Sequence, residues 1–364
     1  MRITETRLAP SRLELVRPLK TARATYAARE GFLVQLVDEE GRVGQGEAMP
    51  LPEFGTESLD TCGQVIRGHL EALRVQVLSD SLDALENAFM VFKAPEAPAA
   101  AHAVELAWLD LLAQQREIPL SRLLSQSARS EIQVNALLTA EGPQELAEQA
   151  RQAVAEGYRT LKLKVAGRSL EEDVARVRAV REAVGPEVKI RVDANGGWSE
   201  QEAFPALERL GAYGLELCEQ PVAPEDLRAL GRLQQHVQIP LAADEALSVP
   251  GAIPLLLGSM GDMPAARIFV LKPMVLGGLL PALKLARQAA RQGLESFVTS
   301  SLDGVVSRAG AAHLAAALPS GRLAAGLGVG SLFKVNEADP AEQAFRPLAG
   351  RIRLSDAPGL GLPK

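Results

Sequence analysis

Residues 160–167 read TLKLKVAG, a short run in which polar and apolar side chains alternate. Side chains two residues apart share one face of a β-strand, so Lys162 and Lys164 point one way and Leu161 and Leu163 point the other. In a strand that helices flank, the lysine face lies inside the fold. A buried ammonium without a partner is costly and its pKa normally falls, so two neighbouring lysines call for a nearby anion or a chemical task.

From about residue 130, short apolar runs of this strand-like kind alternate with amphipathic stretches. The strand candidates are IQVNALL (132–138), TLKLKV (160–165), VKIRVD (188–193), LELCEQ (215–220), IPLAAD (239–244), RIFVLK (267–272) and SFVTS (296–300). The helical patterns between them include LEEDVARVRAVREAV (170–184) and GVVSRAGAAHLAAAL (304–318). About eight strand–helix units favour a closed (β/α) barrel over an open sheet, with LAAGLG (323–328) predicted to supply the eighth strand.

The regions on either side of this alternation look different. Residues 32–48 predict a β-hairpin that turns at Glu40-Gly41, and residues 101–114 have helical apolar spacing. We therefore predict three regions. They are an α+β domain at 1–125, the barrel at 126–330, and a Pro- and Gly-rich tail at 331–364 that packs back on the first domain.

Charged residues stand at the carboxyl ends of five successive strand candidates. Starting from Lys164, the intervals to Asp193, Glu219, Asp244 and Lys272 are 29, 26, 25 and 28 residues, each about one strand–helix unit. In a barrel the carboxyl ends of the strands meet at one mouth, where active sites lie. A lone charged residue after a strand is usually a helix cap or a solvated loop charge, but five in register favour a functional site.

Three converging carboxylates repel one another unless positive charge lies between them. Oxygen ligands without histidine or thiolate select a hard divalent cation, so we expect Mg²⁺, with Mn²⁺ as an alternative, on Asp193, Glu219 and Asp244. Lys164 and Lys272, four strands apart, are predicted to face each other across that ion. A cation and flanking lysines lower the pKa of an acid next to a carboxylate and hold the resulting enediolate, and one lysine can then act as the base.

Five further residues are weaker candidates for contact with substrate or for support of the metal ligands. Lys162 is expected to hold a substrate carboxylate or to tune Lys164. Asn195 and Glu245 follow metal-candidate aspartates and are expected to orient them, although each is also a common helix-capping residue type. Ser300 and Ser301 end a strand candidate at the same mouth and are expected to donate hydrogen bonds to substrate.

Composition excludes several classes of partner. The 364 residues carry a formal net charge of −6, and no basic run interleaves with aromatic residues, so nothing favours nucleic acid. No stretch of about twenty apolar residues predicts a membrane span, and the start MRITETRLAP lacks an apolar signal core, so we expect a cytoplasmic protein. The expected partner is a small carboxylate substrate, and a homo-oligomer is left open.

The motifs together resemble the enolase superfamily, in its muconate lactonizing enzyme subgroup, over nearly the whole chain. They are KLK (162–164), DANGGW (193–198), EQP (219–221), ADE (243–245), KPMVLGG (272–278) and the helix region 101–124. The resemblance implies an N-terminal α+β capping domain and a modified (β/α)7β barrel. It also implies Mg²⁺ on Asp193, Glu219 and Asp244, with Lys164 and Lys272 flanking the substrate.

Within that subgroup, residues 44–59, 300–304 and 326–333 look most like the o-succinylbenzoate synthases, although many members have Glu where this chain has Asp303. This likeness implies dehydration of 2-succinyl-6-hydroxy-2,4-cyclohexadiene-1-carboxylate in menaquinone or phylloquinone biosynthesis. Lys164 would remove the proton next to the carboxylate and later protonate the leaving hydroxyl. Lys272 would stabilise the enediolate.

Three alternatives stay open at this point. N-acylamino acid racemases and dipeptide epimerases share the same lysines and metal ligands, with the lysines acting as bases on opposite faces of the substrate. Dipeptide epimerases often carry an Asp-x-Asp element late in the barrel for the substrate amine, and TSSLDG (299–304) lacks it. A degenerate barrel kept only for binding would require a missing metal ligand, and a sugar-acid dehydratase would call for a histidine at a strand end.

Overall fold

The structure is a computed structural model that describes residues 2–20, 25–73, 96–258, 263–334 and 338–363. It consists of an N-terminal antiparallel sheet with helices, followed by a curled parallel sheet that helices surround. Within the described ranges, no helix is long and apolar enough to cross a membrane.

The N-terminal region is built on one antiparallel sheet with the order β1-β2-β3, formed by β1 (Ile3–Lys20), β2 (Thr25–Asp38) and β3 (Val43–Ala48). The predicted hairpin is confirmed, because β2 and β3 pair around a turn in which Gly41 has a φ of +79°. Two longer helices follow, α1 (Leu59–Leu73) and α2 (Pro98–Gln115).

Helix α2 is buried along almost its whole length and joins the two parts of the molecule. On one side it packs so closely on β3 that a Cβ at Gly44 or Gly46 would collide with its backbone. The same core contains barrel residues such as Leu279 and Leu314. A helix buried on all sides must satisfy its polar side chains inside the fold, and α2 carries Glu105 and Asp110 at 0% and 3% exposure.

The central sheet has seven strands in the order β11-β10-β9-β8-β7-β6-β5, and all of the pairs between them are parallel. The strands are β5 (Ala136–Leu138), β6 (Thr160–Lys164), β7 (Lys189–Asp193), β8 (Leu217–Glu219), β9 (Leu241–Ala243), β10 (Ile268–Leu271) and β11 (Glu295–Val298). Each overlaps a predicted strand candidate, although β5 is shorter than its candidate and begins four residues later, at Ala136.

Helices alternate with these strands, as predicted, with one short helix before the first strand and one helix after the last. They are α3 (Leu120–Leu124), α4 (Pro143–Ala155), α5 (Leu170–Val184), α6 (Glu200–Gly211), α7 (Leu227–His236), α8 (Ala252–Leu256), α9 (Pro273–Leu276), α10 (Leu279–Arg291) and α11 (Val305–Ala317). Reciprocal side-chain and backbone hydrogen bonds begin two of them, with Ser169 and Glu172 at α5 and Ser199 and Glu202 at α6. Such capping boxes satisfy amide groups that a helix leaves free at its start.

The predicted eighth strand position closes the barrel through two isolated parallel bridges. Thr299, just after β11, pairs with Gly326, and Ala325 pairs with Val134, just before β5. Gly326 is required there because a Cβ would collide with the hydroxyl of Thr299. The predicted fold class, a modified (β/α)7β barrel with an N-terminal capping domain, is confirmed.

The C-terminal segment contacts both parts of the chain. Strand β12 (Arg351–Arg353) pairs antiparallel with β4 (Glu131–Gln133), at the start of the barrel region. The amide of Leu360 donates to Asp110 on α2 over 2.8 Å, and the short helix α12 (Pro340–Ala344) completes the segment. The boundaries predicted at residues 125 and 330 stay a prediction.

Candidate active site

The charged site residues point into the barrel because side chains two residues apart on a strand share one face. Arg191, Leu217, Ala242 and Val270 each stand two residues before a charged site residue at the end of the same strand. Since residues i and i+2 share a face, this layer and the site residues above it point the same way. Leu217, Ala242, Ile268, Val270 and Phe297 form their own small buried cluster. This cluster is the apolar floor on which the site rests.

Lys162 lies in the same layer as Arg191, its register partner on β7. Its ammonium nitrogen lies 2.8 Å from both carboxylate oxygens of Glu219 and 2.9 Å from Oδ2 of Asp193. Burial lowers the pKa of Lys162, but Asp193 and Glu219 outweigh burial and raise it well above its usual range. Burial raises the pKa of Asp193, but Lys162 and Lys164 outweigh it, and the net direction is down. Lys162 is therefore the cation that pairs with both of these acids.

Lys272 forms the second ion pair of the site. Its nitrogen lies 2.5 Å from Oδ2 of Asp244, and both side chains are almost fully buried. Burial lowers the pKa of Lys272, but Asp244, Glu245 and Glu219 outweigh it and raise the pKa. The ring of Phe54, in the capping-domain segment that joins β3 to α1, covers the ammonium at 4.9 Å from its centroid.

Lys164 is more open than the other two lysines, because β6 ends at this residue. Its ammonium donates to Oδ1 of Asn195, and Nδ2 of Asn195 donates to Oε1 of Glu245 over 3.0 Å. Asn195 adopts a left-handed backbone with a φ of +44°, a conformation that Asn tolerates better than most residues. The structure thus links Lys164, Asn195 and Glu245 in one chain of hydrogen bonds.

The three predicted metal ligands lie at the ends of adjacent strands. Asp193 is the register partner of both Lys164 and Glu219, and β9 ends immediately before Asp244. In the described part of the chain, no three His, Cys, Asp or Glu side chains converge on one ion-sized position. The carboxylates instead contact the ammonium groups of Lys162 and Lys272.

The donor set nonetheless fits a hard divalent cation. Oδ1 of Asp244 and Oε2 of Glu245 are buried without a hydrogen-bond partner, which is unusual for carboxylate oxygens. Burial raises the pKa of Asp244, with Glu245 and Glu219 adding to the rise and the ammonium groups of Lys272 and Lys162 opposing it. Carboxylate oxygens are the ligands that Mg²⁺ prefers. The assignment of Asp193, Glu219 and Asp244 to Mg²⁺ stays a prediction.

The motif EQP (219–221) pointed to Glu219, but sequence reasoning missed the role of the glutamine beside it. Gln220 is fully buried with a φ of +38°, and its Oε1 accepts from the amides of Asp244 and Ala246 over 3.1 and 3.2 Å. It therefore fixes the backbone that carries Asp244. The signal that the sequence offered was a glutamine directly after an acid at the end of a strand candidate.

The two serines after β11 are occupied by local contacts. Oγ of Ser300 donates to Oδ2 of Asp303 over 3.1 Å. The amide of Ser301 donates to the same Oδ2 of Asp303 over 3.0 Å. The hydroxyl of Ser301 is buried and has no hydrogen-bond partner. Contact of Ser300 and Ser301 with substrate stays a prediction.

The structure combines a capping domain, a (β/α) barrel, and lysines and carboxylates at the strand ends, which is the arrangement that the motifs predicted. Residues 145–363 match the family model described as enolase C-terminal domain-like. Residues 3–125 match the N-terminal domain of mandelate racemase / muconate lactonizing enzyme. The chain belongs to the enolase superfamily, in the muconate lactonizing enzyme subgroup, as the motifs predicted.

Three relatives illustrate the range of activities among similar chains. An N-succinyl-L-Arg/Lys racemase from Bacillus cereus is 29% identical over 86% of this chain and 84% of its own length. A hydrophobic dipeptide epimerase from Enterococcus faecalis is 32% identical, covering 87% of this chain and 88% of its own. An o-succinylbenzoate synthase from Thermobifida fusca is 38% identical over a shorter match, 61% of this chain and 66% of its own.

The dipeptide epimerase of Enterococcus faecalis also has a solved structure, in complex with Mg and the dipeptide L-Leu-L-Tyr. It superposes on this chain with a TM-score of 0.88 at 29% identity, covering 100% of both chains. The racemase and epimerase matches extend over most of the chain, whereas the synthase match covers less of it. The comparisons thus favour the racemase and epimerase alternatives over the dehydration that the sequence alone suggested.

Proposed function

We propose that the protein racemises an N-acylated amino acid by moving the proton on the carbon next to its carboxylate, with an N-succinyl group as the preferred acyl arm. The observation that carries this proposal is the pair of lysines, Lys164 and Lys272, at the ends of β6 and β10, with the buried acids Asp193, Glu219 and Asp244 on the strand ends between them. Full-length likeness to an N-succinyl-amino-acid racemase supports it.

Racemisation needs one group that takes a proton from one face of the carbon and another that returns a proton to the opposite face. Lys164 and Lys272 are the candidates for these two roles, because they come from strands that are four positions apart in the sheet. When the carbon loses its proton, negative charge spreads onto the substrate carboxylate. Lys162, held between Asp193 and Glu219, is the candidate for adding positive charge near that carboxylate.

The predicted cation on Asp193, Glu219 and Asp244 would supply a Lewis acid that stabilises the negative charge of the substrate carboxylate. The protein's own contribution is to hold the lysines in a confined mouth. Phe54 covers Lys272, and Asn195 holds the ammonium of Lys164 through its side-chain oxygen. Such fixed geometry lowers the entropic part of the barrier.

The residues after the late strands favour an N-acyl substrate over a dipeptide. A dipeptide carries a free ammonium that calls for a carboxylate, and the stretches 299–304 and 324–330 contain a single acid, Asp303. Asp303 is 3% exposed and binds Ser300 and the amide of Ser301. An acylated nitrogen has no charge to neutralise and needs no such acid.

The o-succinylbenzoate synthase reaction is the second candidate, and one observation favours it specifically. The match to the Thermobifida fusca synthase has the higher identity, 38% over 224 residues. In this reaction Lys164 would take the proton from the carbon next to the carboxylate and give it to the leaving hydroxyl group, which departs as water. Lys272 would stabilise the enediolate. Both candidate substrates carry a succinyl arm, so one site could accept both.

A two-substrate assay separates the candidates. Purified protein with Mg²⁺ is given N-succinyl amino acids, followed by polarimetry, and the succinyl-hydroxycyclohexadiene carboxylate, followed by ultraviolet absorbance. We expect loss of optical rotation that Lys164→Ala abolishes. Turnover of the cyclohexadiene alone would replace the racemase proposal with the synthase, and turnover of free dipeptides alone would contradict both.

A further inference from the structure

A buried acid of the capping domain holds the segment that follows Lys272. Glu105, near the middle of α2, is 0% exposed, and its carboxylate accepts from the amides of Leu279 and Leu280 at the start of α10. The fit is close enough that a Cβ at Gly278 would collide with this carboxylate. A negative charge at the first amides of a helix is favourable, because these amides have no partner within the helix.

The held segment leads directly back to Lys272. The amide of Gly278 donates to the carbonyl of Pro273 over 2.8 Å, and the amides of Val275 and Leu276 both donate to the carbonyl of Lys272 over 3.0 Å. Gly277 and Gly278 have φ values of +85° and +150°, so the chain between Lys272 and α10 is a tight turn. A displacement at the start of α10 therefore reaches the backbone of Lys272 within two hydrogen-bonded steps.

The capping domain touches the same turn at two other places. The amide of Met49 contacts the sulfur of Met274 at 3.2 Å, and the ring of Phe54 covers the ammonium of Lys272. Lys164, by contrast, stands at the end of β6, whose neighbours are the barrel strands β5 and β7. The described contacts thus tie one lysine to the capping domain and leave the other to the barrel.

We propose that Glu105 is a positioning residue for Lys272, so that the capping domain sets the geometry of one of the two lysines and not of the other. The inference rests on the proposed function in one respect, namely that each lysine serves one face of the substrate carbon. Under this assignment, loss of Glu105 slows proton exchange on the Lys272 face and spares the Lys164 face.

The experiment measures exchange of the substrate's α-proton with deuterium from solvent, one enantiomer at a time. Lys164→Ala isolates the exchange that depends on Lys272, and Lys272→Ala isolates the exchange that depends on Lys164. Glu105→Gln, which keeps the shape and removes the charge, is then added to each background. We expect at least a tenfold slower exchange in the first background and less than a twofold change in the second.

Glu57→Gln is the matched control. Glu57 is also a buried acid of the capping domain, and it accepts from the amides of Ala99 and Ala100 at the start of α2 over 3.1 and 2.8 Å. Its loss should lower the melting temperature to a similar extent without changing the ratio of the two exchange rates. Melting curves of both variants show whether they are folded at the assay temperature.

The inference would be overturned if Glu105→Gln slowed α-proton exchange equally in both backgrounds, or if it left the exchange rate unchanged in both. The same shift in the ratio from Glu57→Gln would also overturn it, because any loss of a buried acid would then suffice. Failure of the proposed function has a different signature: the wild-type protein would exchange neither enantiomer of any N-acyl amino acid.

Discussion

The ammonium of Lys162 lies 2.8 Å from both carboxylate oxygens of Glu219, inside the barrel and below its mouth. This pair shows how the barrel tolerates acids in its interior, because the same ammonium also reaches Asp193. A buried charge is acceptable when it is paired and hydrogen-bonded, and removal of one partner leaves the other uncompensated. Lys162 therefore competes with any divalent cation for the same oxygen atoms.

Lys162→Met should bind Mg²⁺ about tenfold more tightly than the wild-type protein, equivalent to about 1.4 kcal/mol. The ammonium repels a cation only a few ångströms away, and two unit charges at 4 Å interact by about 4 kcal/mol in a partly buried setting. Isothermal titration calorimetry with MgCl₂ measures the affinity. Lys334→Met, which removes an exposed lysine paired with Glu14 at 3.2 Å, is the control. Unchanged or weaker binding by Lys162→Met would contradict this account.

Phe54→Ala should lower kcat/KM for the proposed reaction by about tenfold. The ring lies 4.9 Å from the ammonium of Lys272, and a cation over an aromatic face contributes about 0.5–2 kcal/mol. Loss of the ring also admits water to a lysine that is 8% exposed.

The control for this variant is Phe204→Ala. It removes an equal ring from α6, where it packs edge-on against His236 at 5.8 Å, and should affect stability alone. Equal loss of kcat/KM in both variants would show that the cover over Lys272 has no special role.

Glu47→Gln should change how stability depends on pH. Burial raises the pKa of Glu47 from 4.5 to about 7, with Asp303 and Glu342 adding to the rise and the amide of Ser307 and the charge of Arg308 opposing it. Above pH 4.5 the unfolded chain releases this proton while the folded chain keeps it. The wild-type protein therefore loses stability as the pH rises from about 4.5 through 7.

Relative to the wild type, the variant should gain about 3 kcal/mol in free energy of unfolding between pH 4 and pH 8, at 1.36 kcal/mol for each pKa unit. Urea unfolding at both pH values measures the difference. Glu14→Gln replaces an exposed acid, and its free energy of unfolding should change between the two pH values by the same amount as in the wild type. A parallel curve for Glu47→Gln would mean that Glu47 titrates as in the unfolded chain.

The sequence predicted much of the fold because its signals are local and periodic. The seven strand candidates follow from the alternation of short apolar runs with amphipathic stretches. The hairpin follows from Gly41, which has a positive φ in the structure. The charged strand ends could be found from their spacing, because each strand–helix unit has nearly the same length. The five strands that present them are neighbours in one sheet, as the spacing required.

The sequence could not show which contacts form across distant parts of the chain. It grouped Lys162 with Lys164 on one face but could not show that Lys162, one layer deeper, reaches two acids at once. Glu105 lies 174 residues from Leu279, and Phe54 comes from another domain than Lys272. These pairs depend on how the capping domain docks, which no local pattern encodes.

Deuterium exchange in Lys164→Ala and Lys272→Ala, each with both enantiomers of an N-succinyl amino acid, tests the two-lysine proposal most directly. If each lysine serves one face of the substrate carbon, each variant retains exchange of one enantiomer, the retained enantiomer differs between the two variants, and neither variant racemises. Retention of the same enantiomer by both variants, or full racemisation by either one, would contradict it.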